Sequence, residues 1–433
     1  MESSLPPLIV VVGGGMAGLV AARELAVGGA HVLLLEASDH LGGKVARHTV
    51  AGIELDAGAE SFATRRGTVA AFARGLGLGD DIVQPNGAGA WLQPVDGAAV
   101  PLPRAGLLGI PSTPMAADVI EVVGLRGALR AQLDSLLGYR GAKERTLGGL
   151  VRKRMGAAVL EKLVAPITLG VHSRHPDELD VDTVAPGLRS ALLSTVSLAQ
   201  AVQKLRAAAP AGAAVAGIDG GIARLAETLA SRIEAMGVEV RTDAVVESVE
   251  AGSVTLAGGD VIEADRVVLA CRLEAGTALS PTEVGIVLAT LVVRAPELNA
   301  APRGTGLLVA PGVAGIRAKA LTHATAKWPW LAATVEPGTH VLRLSYTVEA
   351  AREGHEGELR EWARADAERL LGVSLPADSV LGFDRVEWAR PAQRGDVPQG
   401  VVAVGESVAG TGLAAVIGHA QRETGSLLTD VGL

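Results

Sequence analysis

The chain has 433 residues, 48% of them apolar, enough to bury the core of a large enzyme with nested lobes and too many for a disordered chain. A net charge of −8, with 39 basic against 47 acidic residues, and only five Trp, three Phe and two Tyr argue against nucleic-acid binding, which needs a basic excess and stacking rings. The single cysteine, Cys271, excludes an internal disulfide framework and a cysteine-rich metal site, so a reducing compartment and a cytoplasmic location are expected.

From Ser3 to Ala22 there is no charged residue, and the mean hydropathy of the chain is +0.34. Neither a membrane span nor a leader is expected there. Glu2, Pro6, Pro7 and four glycines interrupt the stretch, and its apolar part is only Leu8 to Val12. Those five residues predict a buried parallel strand. It runs into Gly13-Gly14-Gly15-Met16-Ala17-Gly18, then a helical stretch from Leu19 to Val27, a second apolar strand from His31 to Leu35, and Glu36. This is the order of a dinucleotide-binding βαβ unit. Gly13 permits the tight turn, Gly15 lets backbone approach a pyrophosphate, Gly18 lets the helix pack on the sheet, and the helix N-terminus offers free N–H groups. Glu36 is placed to accept hydrogen bonds from the adenosine ribose, and its charge disfavours a 2′-phosphate. The unit alone leaves NAD and FAD open.

Further along, Arg65 and Arg66 could pair with acidic groups of a substrate, or simply end a solvated loop. Residues 106 to 211 have helical spacing. Between Val119 and Arg174 ten basic residues face four acidic ones, so this lobe could attract a polycarboxylate or an acidic partner, a solvated helical face being the alternative; charge reversal of Arg152 to Arg154 should then raise KM at low salt. His172-Ser173-Arg174-His175 lacks a third ligand, and no metal is expected. Short strands are predicted at Val238 to Arg241, Ala244 to Val249, Ser253 to Leu256 and Arg266 to Ala270, with Cys271 a small buried hydrophobe at the end. Residues 281 to 385, with part of 86 to 105, read as strands plus a helix at about Gly357 to Leu371. No catalytic elbow, zinc spacing or P-loop occurs, and no catalytic side chain is singled out.

Several of these segments carry a resemblance. Glu36-Ala37-Ser38-Asp39-His40-Leu41-Gly42-Gly43-Lys44 resembles the glycine-doublet signature of the amine-oxidase-like flavoproteins, and Asp56-Ala57-Gly58-Ala59-Glu60-Ser61-Phe62 resembles their next flavin-lining turn. Lys319-Ala320-Leu321-Thr322-His323-Ala324-Thr325-Ala326-Lys327-Trp328-Pro329 is similar to the Lys-Trp-Pro segment of bacterial porphyrinogen oxidases. Val164-Ala165-Pro166 to Gly170-Val171, Pro176-Asp177-Glu178-Leu179 and Gly220-Gly221-Ile222-Ala223-Arg224-Leu225 resemble further segments of that family. Val401-Val402-Ala403-Val404-Gly405-Glu406 and Gly410-Thr411-Gly412-Leu413-Ala414-Ala415 resemble its second flavin motif. A strand ending at Gly405-Glu406 can present N–H groups to a pyrophosphate, and the start of the last helix can aim its dipole at the electron-rich edge of reduced flavin.

The resemblance implies an α/β fold: a discontinuous Rossmann-like FAD-binding domain (1–85, 212–280 and 386–433), a mixed-sheet substrate-binding domain (86–105 and 281–385) and a helical lobe (106–211). It implies FAD held by Gly13, Gly15, Met16, Ala17, Gly18, Glu36, Ala37, Gly43 and Lys44, by Gly58, Ala59, Glu60 and Ser61, and by Val246 against the adenine. Trp388, Gly405, Glu406, Gly412, Leu413 and Ala414 complete that set from the C-terminal end. Arg65, Arg66 and Lys319 are the candidates for substrate contact, although a structural role for Lys319 and His323 is an equal alternative. One departure stands out: the family's Pro-Gln-Tyr run after this tryptophan is absent, since Trp388 leads into Ala389-Arg390-Pro391-Ala392-Gln393-Arg394-Gly395. The implied activity is oxygen-dependent, six-electron oxidation of coproporphyrinogen III to coproporphyrin III with release of hydrogen peroxide, in haem biosynthesis. The alternatives are protoporphyrinogen IX, another amine-oxidase-like flavin reaction, or a scaffold that has lost its flavin. Implied partners are the porphyrinogen, dioxygen and, transiently, the downstream ferrochelatase.

Overall fold

The computed structural model describes residues 6–64, 67–103, 106–172, 174–207, 215–271, 285–352, 356–388 and 397–433. The chain divides into two compact units. The first comprises Met1–Pro85, Gly212–Gly285 and Trp388–Leu433, and the second Asn86–Ala211 and Ile286–Glu387.

The first unit is built on the strands Leu8–Val12 (β1) and His31–Leu35 (β2), which pair in parallel. They lie in a five-stranded sheet in the order Glu239–Arg241, β2, β1, Arg266–Leu269, Val402–Ala403, with every neighbouring pair parallel. Val10 stands opposite Leu33 on one side and Val267 on the other. These strands are nearly unbroken runs of Val, Ile and Leu because both faces of a parallel sheet are covered. Ile9, Val11, Leu34 and Val268 face one apolar cluster, shared with the Met16–Val27 helix (α1), Ala223–Ala235 and Leu413–Asp430. Val10, Val12, Leu33, Leu35 and Val267 face the other, shared with an antiparallel meander of Val246–Val249, Ser253–Leu256 and Val261–Glu263.

Two boundaries differ from the sequence reading by more than one residue, while the strands expected from Val238 and to Ala270 run from Glu239 and to Leu269. Helix α1 starts at Met16 rather than Leu19, because Gly18 sits inside its first turn, where a Cβ would collide with Gly13 O. The strand expected from Ala244 starts at Val246, since Asp243 takes a left-handed turn (φ +53°) and Ala244 spends its N–H on Glu36 O, at 2.8 Å.

The second unit holds a seven-stranded mixed sheet in the order Val380–Trp388, Ile286–Arg294, Thr339–Thr347, Ala320–His323, Gly306–Val309, Trp91–Gln93, Val100–Pro101. The Glu356–Leu371 helix packs Leu359, Ala363, Ala367 and Leu370 on the face formed by Ala289, Leu291, Leu342 and Leu344. Helices Ala117–Gln132, Leu147–Arg154, Leu188–Thr195 and Leu198–Ala207 enclose a separate apolar cluster, into which the sheet contributes Leu92.

Candidate functional site

The glycine loop after β1 is closed by Gly13, whose N–H donates to Leu35 O at 2.7 Å and whose φ of +103° favours glycine. The first helical bond of α1 runs from Leu19 N–H to Gly15 O, at 3.0 Å, so the amides of Met16, Ala17 and Gly18 have no carbonyl partner within the helix. Gly15 supplies no side-chain cap, and the first turn contains no acid. A Cβ built on Gly15 would meet nothing within 4 Å. The positive end of α1 is therefore left open to an external anion, which is the fit a nucleotide pyrophosphate requires.

Glu36 follows β2 beside this loop. Its Oε2 accepts from Gly14 N–H at 2.6 Å, and its Oε1 accepts from Ser38 N–H at 2.9 Å and Ser38 Oγ–H at 2.7 Å. A carboxylate has about four lone-pair sites, so this set orients the group and leaves capacity for ribose hydroxyls. Ala37 lies between Glu36 and Ser38 in this turn. The second glycine pair packs on the first: Gly42 N–H donates to Gly14 O at 2.9 Å, and a Cβ on Gly43 would lie 3.2 Å from Gly15 Cα.

Two contacts tie this N-terminal half to the C-terminal end. Lys44 Nζ lies 2.6 Å from Glu406 Oε2, and Trp388 Nε1–H donates to Ala57 O at 3.0 Å. Gly405, with φ +104°, sits against the first turn of α1, where a Cβ would come 3.3 Å from Ala17 Cβ. Ala59 N–H donates to Lys44 O at 3.2 Å, and Glu60 and Ser61 continue from it, half-buried. The Leu413–Asp430 helix begins after Gly412 with no side-chain cap and no acid in its first turn, so Leu413 and Ala414 stand at a second uncapped positive end. Val246 is buried in the core behind the sheet, two residues beyond the amide that binds Glu36 O.

Some candidates have other surroundings. Arg65, Arg66 and the stretch from Ala389 to Gly395 lie outside the described residues. Lys319 belongs to the second unit, half-buried, with its N–H donating to Ser345 O at 2.8 Å. His175 Nδ1 accepts from Asp177 N–H at 3.3 Å and caps the Pro176–Glu178 turn. Cys271 is half-buried rather than fully buried; burial, and then the charge of Glu36, push its thiol up to about 12, which leaves it unreactive.

The basic lobe is less available than its composition suggested. Arg154 is fully buried, bonded through Nε to Asp134 Oδ1 at 2.6 Å, while Arg152 pairs with Asp177 at 2.7 Å and Lys153 pairs with Glu144. Charge reversal there would break structure before it altered steering.

Three connections were not read from sequence. Asp56 accepts from Ile222 N–H at 3.0 Å and Ala223 N–H at 2.8 Å, so it caps the Ala223–Ala235 helix, which explains the Gly220-Gly221 turn as a structural one. The Lys44–Glu406 pair is the second. The third is a buried chain in the second unit: His323 Nε2 lies 3.0 Å from His340 Nδ1, and His340 Nε2 lies 3.1 Å from Asn299 Oδ1. Burial, with the neighbouring His340, lowers His323 to about 3, and burial lowers His340 as well. Both rings are therefore neutral at pH 7.

Fold and site together define an α/β protein in which the glycine loop after β1 and the second glycine pair meet residues from the C-terminal end of the chain. The profile of the family described as flavin containing amine oxidoreductase matches residues 16–284, and the chain belongs to that family. It is a flavin-dependent oxidoreductase. A coproporphyrinogen III oxidase of Mycobacterium tuberculosis (strain ATCC 25618 / H37Rv) is 28% identical, with 98% of each chain covered. One from Propionibacterium freudenreichii subsp. freudenreichii is also 28% identical, over 60% of this chain and 56% of that relative. The fold matches the crystal structure of a protein from Exiguobacterium sp. 255-15, provisionally described as a protoporphyrinogen oxidase, with a TM-score of 0.81, 22% identity, and 99% and 100% of the two chains covered.

Proposed function

We propose that the chain binds FAD and oxidises coproporphyrinogen III to coproporphyrin III at the expense of dioxygen, in haem biosynthesis in the cytoplasm. The observation that carries this reading is the similarity to the mycobacterial coproporphyrinogen III oxidase along 98% of both chains, which includes both the N-terminal glycine loop and the C-terminal motif. The bound flavin supplies a two-electron acceptor that dioxygen re-oxidises, so that three rounds remove six electrons and six protons and yield three molecules of hydrogen peroxide.

The protein's part is to hold and orient. The amides of Met16, Ala17 and Gly18 would bind the pyrophosphate, and Glu36 would accept the ribose hydroxyls. Lys44 and Glu406, by pairing, fix the glycine-doublet turn against the C-terminal motif. Gly58, Ala59, Glu60 and Ser61 would offer backbone to the ring, and the open end of the Leu413–Asp430 helix would favour negative charge on it. Arg65, Arg66 and Lys319 are the proposed partners of substrate carboxylates. In this reading residues 1–85, 212–280 and 386–433 form the FAD-binding domain, and the intervening residues supply the substrate sheet and the helical lobe.

Protoporphyrinogen IX is the second reading, favoured by the description of the Exiguobacterium protein. The proposal is tested by releasing the cofactor from purified protein and by anaerobic mixing with coproporphyrinogen III. FAD in the extract and bleaching of the flavin absorbance are expected; FMN, or a flavin that stays oxidised with substrate present, would refute it.

A further inference from the structure

The seven-stranded sheet of the second unit has two unlike faces. On the strands Ile286–Arg294, Thr339–Thr347 and Ala320–His323, successive side chains point to opposite sides. Ala289, Leu291, Leu342, Leu344 and Leu321 take the side packed on the Glu356–Leu371 helix. The other side carries Thr290, Arg343 and Thr322, and register sets these three in one row: Arg343 stands directly opposite Thr290 on one neighbouring strand and Thr322 on the other. Ser345, two residues along from Arg343, lies on the same side, with Leu288 and Ala320 opposite it.

On the strands beyond this row the same side is filled from within the unit. Leu92 and Leu308 pack in the apolar cluster of the helical lobe, and a Cβ on Gly170 of the Ala165–His172 helix would lie 2.4 Å from Leu308 Cδ2. Among the described residues no apolar cluster takes up Leu288 or Ala320, which are half-buried like Arg343 and Thr322. Half-buried apolar side chains beside a few convergent polar groups are the composition of a ligand-binding surface.

Thr290 supplies a second, independent observation. Its side chain is 1% exposed, yet its Oγ1 makes no hydrogen bond. A buried hydroxyl without a partner costs stability, and valine would fill the same space without that cost. The hydroxyl is therefore no strut of an internal network; it is an unused acceptor held next to a guanidinium.

We propose that this row binds a carboxylate of the tetrapyrrole, Arg343 making the charge-assisted contact and Thr290 positioning the guanidinium by accepting one of its N–H groups when the carboxylate is engaged. The inference rests on the porphyrinogen reading given above and deepens it by naming a residue that recognises the substrate. A guanidinium presents five N–H donors in a planar fork, so it can hold a carboxylate through two of them and give a third to Thr290. Leu288 and Ala320 would lie against the apolar edge of the macrocycle.

The test is equilibrium binding of coproporphyrin III to the flavin-loaded full chain, read by porphyrin fluorescence, together with kcat and KM for coproporphyrinogen III. Arg343→Leu should weaken binding and raise KM at least about tenfold with a smaller change in kcat, and Arg343→Lys, which keeps the charge without the fork, should do so by less. Thr290→Val should also raise KM while its urea midpoint stays level or rises, because the orphan hydroxyl is gone. A merely structural role would move the midpoint and leave KM alone. Unchanged porphyrin binding in Arg343→Leu, or a Thr290→Val variant that gains stability with an unaltered KM, would overturn the proposal. A wild-type chain that binds coproporphyrin III but does not oxidise coproporphyrinogen III would refute the oxidase reading alone, and the binding comparison would still decide the role of Arg343.

Discussion

Replacing Arg154 with alanine should destabilise the second unit rather than impair substrate capture. The guanidinium is fully buried and donates to Asp134 Oδ1 at 2.6 Å, Gly138 O at 2.6 Å, Val196 O at 2.9 Å, Asp134 O at 3.0 Å and Arg140 O at 3.1 Å. Removing one partner of a buried ion pair leaves the other charge uncompensated and costs about 3–5 kcal/mol. Asp134 retains Ser197 Oγ–H at 2.7 Å and Ala199 N–H at 3.0 Å, which places the expected loss near the lower limit, about 3 kcal/mol. The assay is urea unfolding followed by tryptophan fluorescence. A second variant, D134L/R154M, removes both charges and should recover part of the loss, but not all, because the carbonyls of Gly138 and Val196 still lack their donor. A loss below about 1 kcal/mol in R154A, or an unchanged stability with a raised KM, would refute the reasoning and restore a steering role to this residue.

Three other outcomes follow from the same geometry. Glu36→Gln should weaken flavin binding by about tenfold or more, read as the dissociation constant of the released cofactor, because a charge-assisted acceptor becomes a neutral one at the ribose. Gly18→Val should give colourless or insoluble protein, since even a Cβ collides with Gly13 O; a yellow, soluble variant would contradict the packing described. With the rings of His323 and His340 both lowered in the fold, the unfolded chain binds more protons below pH 6.5, so stability present above that pH is lost as pH falls, for His323 down to about pH 3 by up to about 1.4 kcal/mol per unit, and for His340 in the same direction. His323→Leu should flatten the slope of urea midpoint against pH; an unaltered slope would place the titration elsewhere.

How far the sequence was legible depended on the range of the contacts. Leu8–Val12, His31–Leu35 and Ser253–Leu256 coincide with the strands read from sequence, because a β-branched or leucine run bounded by turn residues specifies its own conformation. The start of α1 was hidden because Gly18 looks like part of the loop when the contact that requires glycine is made to Gly13 across the turn. Asp56 reads as a member of a flavin-lining turn, and nothing local announces that its carboxylate accepts from the backbone N–H groups of a helix start 166 residues further on. Lys44 and Glu406 were each legible as motif residues, but their pairing is a product of the fold. The basic count from Val119 to Arg174 could not tell the buried Arg154 from exposed cations such as Arg126, Arg140 and Lys143. Register, finally, is what brings His323 beside His340, on neighbouring antiparallel strands.

The account turns most directly on turnover of the purified yellow protein, in air, with coproporphyrinogen III and protoporphyrinogen IX in parallel, following porphyrin fluorescence and peroxide together. It predicts a higher kcat/KM for coproporphyrinogen III, with three peroxides formed for each porphyrin. Equal or reversed preference would contradict the substrate assignment, and no turnover of either would contradict the oxidase reading itself.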